Sequence, residues 1–310
     1  NYVVLPPEEC FRRAYMLKEF EVSEIGFVPY VIARSLGIAP YTALPVFLSR
    51  MFRHSAIYVR TDREIYTPGD LIGKRIGVPE YQMSAVLWCR GLLADEYGVQ
   101  PDAVQWRQGG TNVPGRTEKF PLSLPSGFPL EPIPAEATLN ELLVDGRLDA
   151  IISPEVPNCF GDGKTPVRRL FPDFEAAERA YYCSSGHFPI MHAVGIRNDV
   201  LQSNPWLPGR LYESFCEAKQ IANRELFELR APKIGLPWIA AHALATQAMM
   251  GEDFWSYGIE DNRGTLETTL RYAYDHGLTP RRLPIEELFP PETWAETRRS
   301  DDEHYSCGGP

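Results

Sequence analysis

The sequence predicts an α/β architecture of two lobes, each a mostly parallel sheet flanked by helices, with a ligand cleft between the lobes. Three observations carry that expectation. Short runs of β-branched and aromatic residues alternate with segments of helical periodicity, the pattern of strands joined through helices. The chain has 310 residues, of which 44% are hydrophobic, enough for two buried lobes. A polar Pro/Gly connector at 61–70 and an apolar return strand at 188–197 bracket one compact stretch. Residues 1–60 and 188–310 therefore form the first lobe, and 61–187 an inserted second lobe.

The elements follow in order. The chain opens on "NYVVLPPEE", without an initiator Met, and reads as entered in mid-strand. Pro7 suits a first helical position and Glu8-Glu9 a first turn; Phe11, Ala14 and Tyr15 then share one face. "VSEIGFVPY" reads as strand and loop. "LSRMFRHSAIYV", residues 48–59, reads as a strand with Arg50, Arg53 and His54 just before its apolar end. "KRIGVP" is a strand, followed by a helix through "EYQMSAVLWCRGLLADEY" that stops at Gly98. "DAVQWRQGG" is the next strand, and 110–134 a long Pro/Gly-rich loop. Thr138 and Glu141 form a capping box before a short helix, and "RLDAIIS" and "FPIMHAVGIR" are strands. A helix then aligns Leu207, Leu211, Phe215, Ala218 and Ala222, and a later one Leu266, Leu270 and Ala273.

Composition excludes several functions. The net charge is 31 − 41 = −10, and no basic stripe offsets it: Arg281-Arg282 and Arg298-Arg299 are short pairs flanked by acids. A nucleic-acid partner is not expected. No apolar run approaches the ~20 residues of a membrane span. Cys10, Cys89, Cys159, Cys183, Cys216 and Cys307 show no zinc-like or CxxC spacing, and six in this length suit a reducing compartment. HExxH and GxSxG patterns are absent as well. The reading is of cofactor-free chemistry with no metal ligands.

Several segments are similar to a known family. "FLSRMFRHSAIYV", "DLIGKRIGVPEYQMSAVLWCRGLLADEYGV", "GGTNVPGRTEK", "FPIMHAVGIR", "LPW" and "GEDFWSYGIEDNRGTLE" resemble the 4,5-dihydroxyphthalate decarboxylases, from about residue 1 to about 290. "SRMFRHS" and "GVPEYQM" are specific to that family, whereas "DLIGKRIGV" is shared with many solute-binding proteins. The resemblance implies a type II periplasmic-binding-protein-like fold and a carboxy-lyase in the cytoplasm. It implies a small aromatic dicarboxylate as substrate and leaves a homo-oligomer open. It also implies a further N-terminal strand and cleft-lining loop that this chain lacks. The family's apolar residue before "FPIMH" is here His187. The alternative is a non-enzymatic solute-binding protein, periplasmic, that delivers an aromatic carboxylate to a transporter.

The implied chemistry sets the residue types required. An aryl carbon loses CO₂ only if it is protonated as the bond breaks, and a deprotonated para hydroxyl pushes electron density onto it. Such a site needs a cationic clamp for two carboxylates, a base for the phenol and an acid for the ring carbon. Arg53 and Arg50 suit the clamp, since guanidinium forks bind carboxylates; strand alternation separates them, and Arg53 is favoured. His54 is the expected acid, its pKa raised by the bound dianion, with His192 as rival and Glu80 as a further acid–base candidate. Glu80, Tyr81, Gln82 and Ser84 lie where a strand meets a helix N-terminus that offers N–H groups to an anion. Arg116 in the long loop and His187 add candidate contacts, and Trp255 and Tyr257 could stack on the ring. Asn262 and Arg263 read as caps of the last helix.

Overall fold

The computed structural model describes residues 1–294 apart from residue 123; Cys307 and the Arg298-Arg299 pair lie outside the described residues. Residues 1–6 run extended and largely exposed, so the "YVVL" run does not form the expected strand. α1 (Pro7–Arg12) continues as a π-helical turn, Arg13–Leu17, and stops at Lys18 with φ 51°. Phe11, Ala14 and Tyr15 are buried, as their spacing predicts. β1 (Val22–Gly26) runs straight into α2 (Phe27–Ser35). Pro29 argues for a loop there, but it occupies the first helical turn, where a missing N–H leaves no intrahelical bond unmade.

β2 (Tyr41–Arg50) and β3 (Ile57–Arg60) replace the single strand expected across 48–59. Pro45 cannot donate to a ladder, and the pairing of β2 slips between Leu44 and Ser49. Such a bulge bends a strand and redirects its end. The backbone then leaves the sheet at 51–53 and makes a 3₁₀ turn, His54–Ala56.

The remaining elements follow the predicted alternation. β4 (Arg75–Val78) leads to α3 (Ser84–Tyr97), which ends at Gly98 with φ 69°, a left-handed cap that favours glycine. β5 (Gln105–Gln108) and a short β6 (Leu130–Pro132) flank the long loop. α4 (Leu139–Val144) carries the predicted Thr138–Glu141 capping box. β7 (Ala150–Ile152), β8 (Val167–Arg169) and α5 (Phe174–Ser185) precede β9 (Ile190–Arg197). α6 (Asn198–Ser203), α7 (Leu207–Glu225), α8 (Ile239–Met250) and α9 (Arg263–Asp275) follow, the last α-helices among the described residues.

The strands form two sheets. The first has the order β1-β9-β2, with β9 antiparallel to both neighbours; the second has the order β6-β5-β4-β7-β3-β8. Parallel pairing is confined to β4–β5, β4–β7 and β5–β6, and β3 is antiparallel to β7 and β8. β3 thus belongs to the second sheet, and the chain changes sheets at 51–56 and again at 186–189. One hydrophobic cluster runs from Phe11, Ile25 and Phe47 through to Ile57, Val78 and Trp106, so both sheets share a core. The fold class is α/β, as the alternation predicts, but the expected mostly parallel sheet in each lobe is corrected. The first sheet is antiparallel throughout, because β9 returns between β1 and β2, and only the second is mostly parallel.

Candidate active site

A cavity of about 390 Å³ opens at the carboxyl ends of β1, β2, β4 and β7. Its wall includes Glu8, Gly26, Arg53, Met83, Ser84, Lys119, Glu155 and His192. Strand ends and helix N-termini are where ligands of such sheets collect.

Arg53 is 9% exposed and projects from the break after β2. Its Nε lies 3.2 Å from Met191 Sδ and its Nη1 3.4 Å from Met51 Sδ. No carboxylate lies within ion-pair distance of it among the described residues, and burial lowers its pKa. A guanidinium held out of water with only weak thioether acceptors among the described residues keeps hydrogen-bonding capacity that its neighbours leave unused.

His192 stands on β9, opposite Gly26. Its Nδ1 is 2.7 Å from Glu24 Oε1, and the ring of Phe11 packs edge-on at 4.7 Å. Glu24 and Phe11 together fix the ring. With the Nδ1 hydrogen donated to Glu24, Nε2 is the nitrogen left for a ligand. Beside it, the first turn of α3 brings free N–H groups to the cavity. Ser84 Oγ, at that turn, accepts from Val28 N at 3.1 Å and so joins α3 to α2.

Lys119 comes from the long loop, which is pinned to the segment before α3. Its Nζ is 2.7 Å from both Glu80 oxygens, and Arg116 Nε donates to Glu80 Oε1 at 2.7 Å. Gln82 exchanges two bonds of 3.2 Å with the Phe120 backbone, and Glu118 accepts from Tyr81 N and Gln82 N. Gly110 permits the loop's entry: a Cβ there would meet Val113 O at 1.7 Å. Burial alone would lower the Arg116 pKa, but Glu80 and Glu8 hold it above the ordinary value. Glu155 follows β7; its Oε1 accepts from Asn112 Nδ2 at 2.9 Å.

The cavity therefore joins Arg53, Ser84 and His192, with Glu80 and Arg116 one contact behind it through Lys119. The other expected site residues lie elsewhere. His54 is 1% exposed, packed between Phe171 at 5.0 Å and Tyr181 at 5.5 Å. Burial among these rings pushes its pKa down to about 4 rather than up, because desolvation penalises the imidazolium. Arg50 is also buried, with bonds to Phe188 O at 2.6 Å and Asn262 Oδ1 at 2.7 Å. Tyr81 is buried beneath the Arg90 guanidinium, 3.4 Å away. His187 Nε2 lies 3.1 Å from Thr268 Oγ1, away from the cavity. Trp255 donates to Phe47 O at 2.8 Å and borders a different cavity with Arg50. Tyr257 is buried beneath Lys219 at 4.9 Å. Asn262 serves Arg50, and Arg263 pairs with Glu260 at 2.6 Å.

Sequence reasoning missed Glu8, Glu24, Lys119 and Glu155. The "GRTEK" motif contained Lys119, but only the charge already singled out, Arg116, was legible as a contact. Nothing local marks Glu24, which meets His192 168 residues away.

A curated relative from Comamonas testosteroni, named 4,5-dihydroxyphthalate decarboxylase, is 42% identical over 290 residues, covering 94% of this chain and 88% of the relative. The chain belongs to the 4,5-dihydroxyphthalate decarboxylase family. A second member, from Pseudomonas putida and of the same name, is 41% identical over 181 residues, 58% of this chain and 70% of that protein. No family model matches. Among solved structures, the periplasmic aliphatic sulphonate binding protein SsuA from Escherichia coli is 16% identical. It covers 93% of this chain and 85% of its own, with TM-score 0.48. The desulfurization enzyme DSZB is 17% identical over 89% of this chain and 84% of its own, with TM-score 0.44.

Proposed function

We propose that this decarboxylase-family chain removes one carboxylate of 4,5-dihydroxyphthalate, or of a close hydroxylated aromatic dicarboxylate, as CO₂. The product is a protocatechuate-like monocarboxylate. The observation that carries the reading is the buried, unpaired Arg53 facing a cavity that also holds a carboxylate-anchored imidazole. Family membership supports the substrate class.

Arg53 binds one carboxylate, and Lys119 with the first turn of α3 binds the neighbouring one. Glu155, across the cavity, accepts the proton of the hydroxyl para to the carboxylate that leaves. The resulting phenolate pushes electron density onto the ring carbon, which takes a proton from His192 Nε2. The C–CO₂ bond then breaks, its electron pair restores the aromatic ring, and CO₂ departs. Glu24 keeps the imidazole in register throughout. His54 is enclosed by Phe171 and Tyr181, and Glu80 is held by Arg116 and Lys119; neither lines the cavity.

The same proposal divides the chain into two lobes, the second inserted in the first, which the changes of sheet at 51–56 and 186–189 support. It also holds the enzyme to be cytoplasmic and homo-oligomeric. Free thiols at Cys10, Cys89, Cys159 and Cys216 support a reducing compartment. Exposed Trp206 and Trp238, at the starts of α7 and α8, and Leu244 on α8 support self-association.

The deciding experiment follows CO₂ release and the monocarboxylate product from 4,5-dihydroxyphthalate. Stoichiometric release that disappears in His192→Gln is expected. Tight binding with no release at any pH would reduce the protein to a carrier.

A further inference from the structure

Two carboxylates share the cations Arg116 and Lys119, and they are not equivalent. Glu80 is 2% exposed and takes both cations at 2.7 Å. It is fixed inside the second sheet's loop. Glu8 sits on α1, which packs on the first sheet, with a side chain 47% exposed. It touches Arg116, reaches Lys119 Nζ at only 3.4 Å, and itself lines the cavity. Two positive and two negative charges make the cluster neutral. Without Glu8 it would carry one net positive charge, facing the cavity beside Arg53.

We propose that Glu8 is a built-in stand-in for a ligand carboxylate. It occupies the subsite at Lys119 and yields it to a ligand whose other carboxylate is held by Arg53. This rests on the dicarboxylate reading above. A ligand anchored at Arg53 presents its adjacent carboxylate to Lys119 at high effective concentration and exchanges it for Glu8. A monocarboxylate has no second anion to offer, and Glu8 stays in place. The exchange reverses when CO₂ leaves: the product has one carboxylate fewer, Glu8 returns to Lys119, and the product loses half its hold. One side chain thereby selects dianions and promotes release of the monoanionic product. A ligand shifts such an equilibrium only by its differential affinity for the two states, which here is the second ion pair.

The test is calorimetric binding of phthalate and of benzoate to the parent chain, Glu8→Gln and Glu8→Asp. Phthalate lacks the para hydroxyls needed for reaction, so binding is read without turnover. Glu8→Gln is expected to bind phthalate about tenfold tighter, the scale of one charged hydrogen bond discounted for exposure. Benzoate should change by less than about threefold, and Glu8→Asp should fall between, because it keeps a carboxylate on a shorter arm. Equal or weaker phthalate binding by Glu8→Gln overturns the proposal and makes Glu8 a structural tie between α1 and the loop. An equal gain for benzoate also overturns it, since the effect is then general charge rather than a second subsite. Failure of the parent chain to bind phthalate at all removes the dicarboxylate reading itself, and this inference with it.

Discussion

Two neighbouring regions contain the same pair of residue types and treat them in opposite ways. Away from the candidate cavity, His54 is sealed among aromatic rings and Arg50 is tied to its neighbours beside a different cavity. At the cavity, Arg53 and His192 face a space that a ligand can enter. Arg50 donates to Phe188 O, Ser256 O and Asn262, whereas among the described residues the Arg53 guanidinium meets only two thioether sulfurs. His54 is surrounded by aromatic rings, whereas His192 is oriented by a carboxylate. For the arginines the partners, not burial, make the distinction. His54 Nδ1 has no hydrogen-bond partner among the described residues, and there it is enclosure by Phe171 and Tyr181 that keeps a ligand away. A buried polar group whose bonds are complete has no capacity left for a ligand.

The largest expected effect breaks the comparison at the histidines. His192→Gln should lower turnover of 4,5-dihydroxyphthalate by about 10²–10⁴, the usual contribution of a positioned acid. The same change at position 54 should leave turnover within a few-fold. If the two variants behave alike, or in reverse, the assignment of regions fails at its centre.

The second effect is on stability against pH. His54 titrates near pH 6.5 when unfolded but is pushed to about 4 in the native chain by burial. Between those values the unfolded chain binds the extra proton, so stability is fully present above about pH 6.5 and falls as the pH drops. The loss reaches on the order of 3 kcal/mol near pH 4. Denaturant titrations at several pH values should show a flatter acid slope for His54→Gln. His276, also buried and pushed to about 3, keeps its own share of the slope. An unchanged slope would mean that water reaches His54.

This contrast explains what was legible in the sequence. Alternating strands and helices, the glycine stop at Gly98 and the Thr138–Glu141 box depend on residues near one another in the chain, and they are where the pattern puts them. The break after Arg50 was not legible, because "LSRMFRHSAIYV" has strand composition and the bulge comes from the pairing of β2 with β9. α2 was hidden by Pro29, whose cost vanishes in a first turn. The motif "SRMFRHS" does not reveal that Arg53 lines the cavity while His54 is buried among aromatic rings. Glu24 and Glu8 act through contacts with residues more than a hundred positions distant, which no local spacing encodes.

The third effect separates the arginines. Arg53→Ala should weaken phthalate binding by about 1.5–3 kcal/mol, the value of a charged hydrogen-bonding partner. Arg50→Ala should leave binding nearly intact but cost about 1–3 kcal/mol of folding stability, because Phe188 O and the Asn262 amide lose a buried donor. Calorimetry with phthalate and urea unfolding report the two quantities independently. Interchanged results would make Arg50 the ligand group.

The smallest effect is the sharpest test of why the regions differ. If Arg53 is a cation kept without a counterion for the sake of a ligand, the ligand-free fold carries its desolvation without return. Replacing it by an apolar side chain of similar length should then stabilise that fold. Arg53→Met keeps most of the stem, which packs beside Met51 and Met191, and removes the unpaired charge. A gain on the order of 1 kcal/mol in urea unfolding is expected, of the size seen when a strained functional position is relieved. The gain should appear only without ligand: saturating phthalate stabilises the parent chain by mass action and the variant hardly at all, so their order reverses. Arg50→Met provides the control, because it removes satisfied hydrogen bonds and should destabilise under both conditions. A loss of stability in ligand-free Arg53→Met would show that its thioether contacts are structural, and the two arginines would then differ in degree rather than in kind.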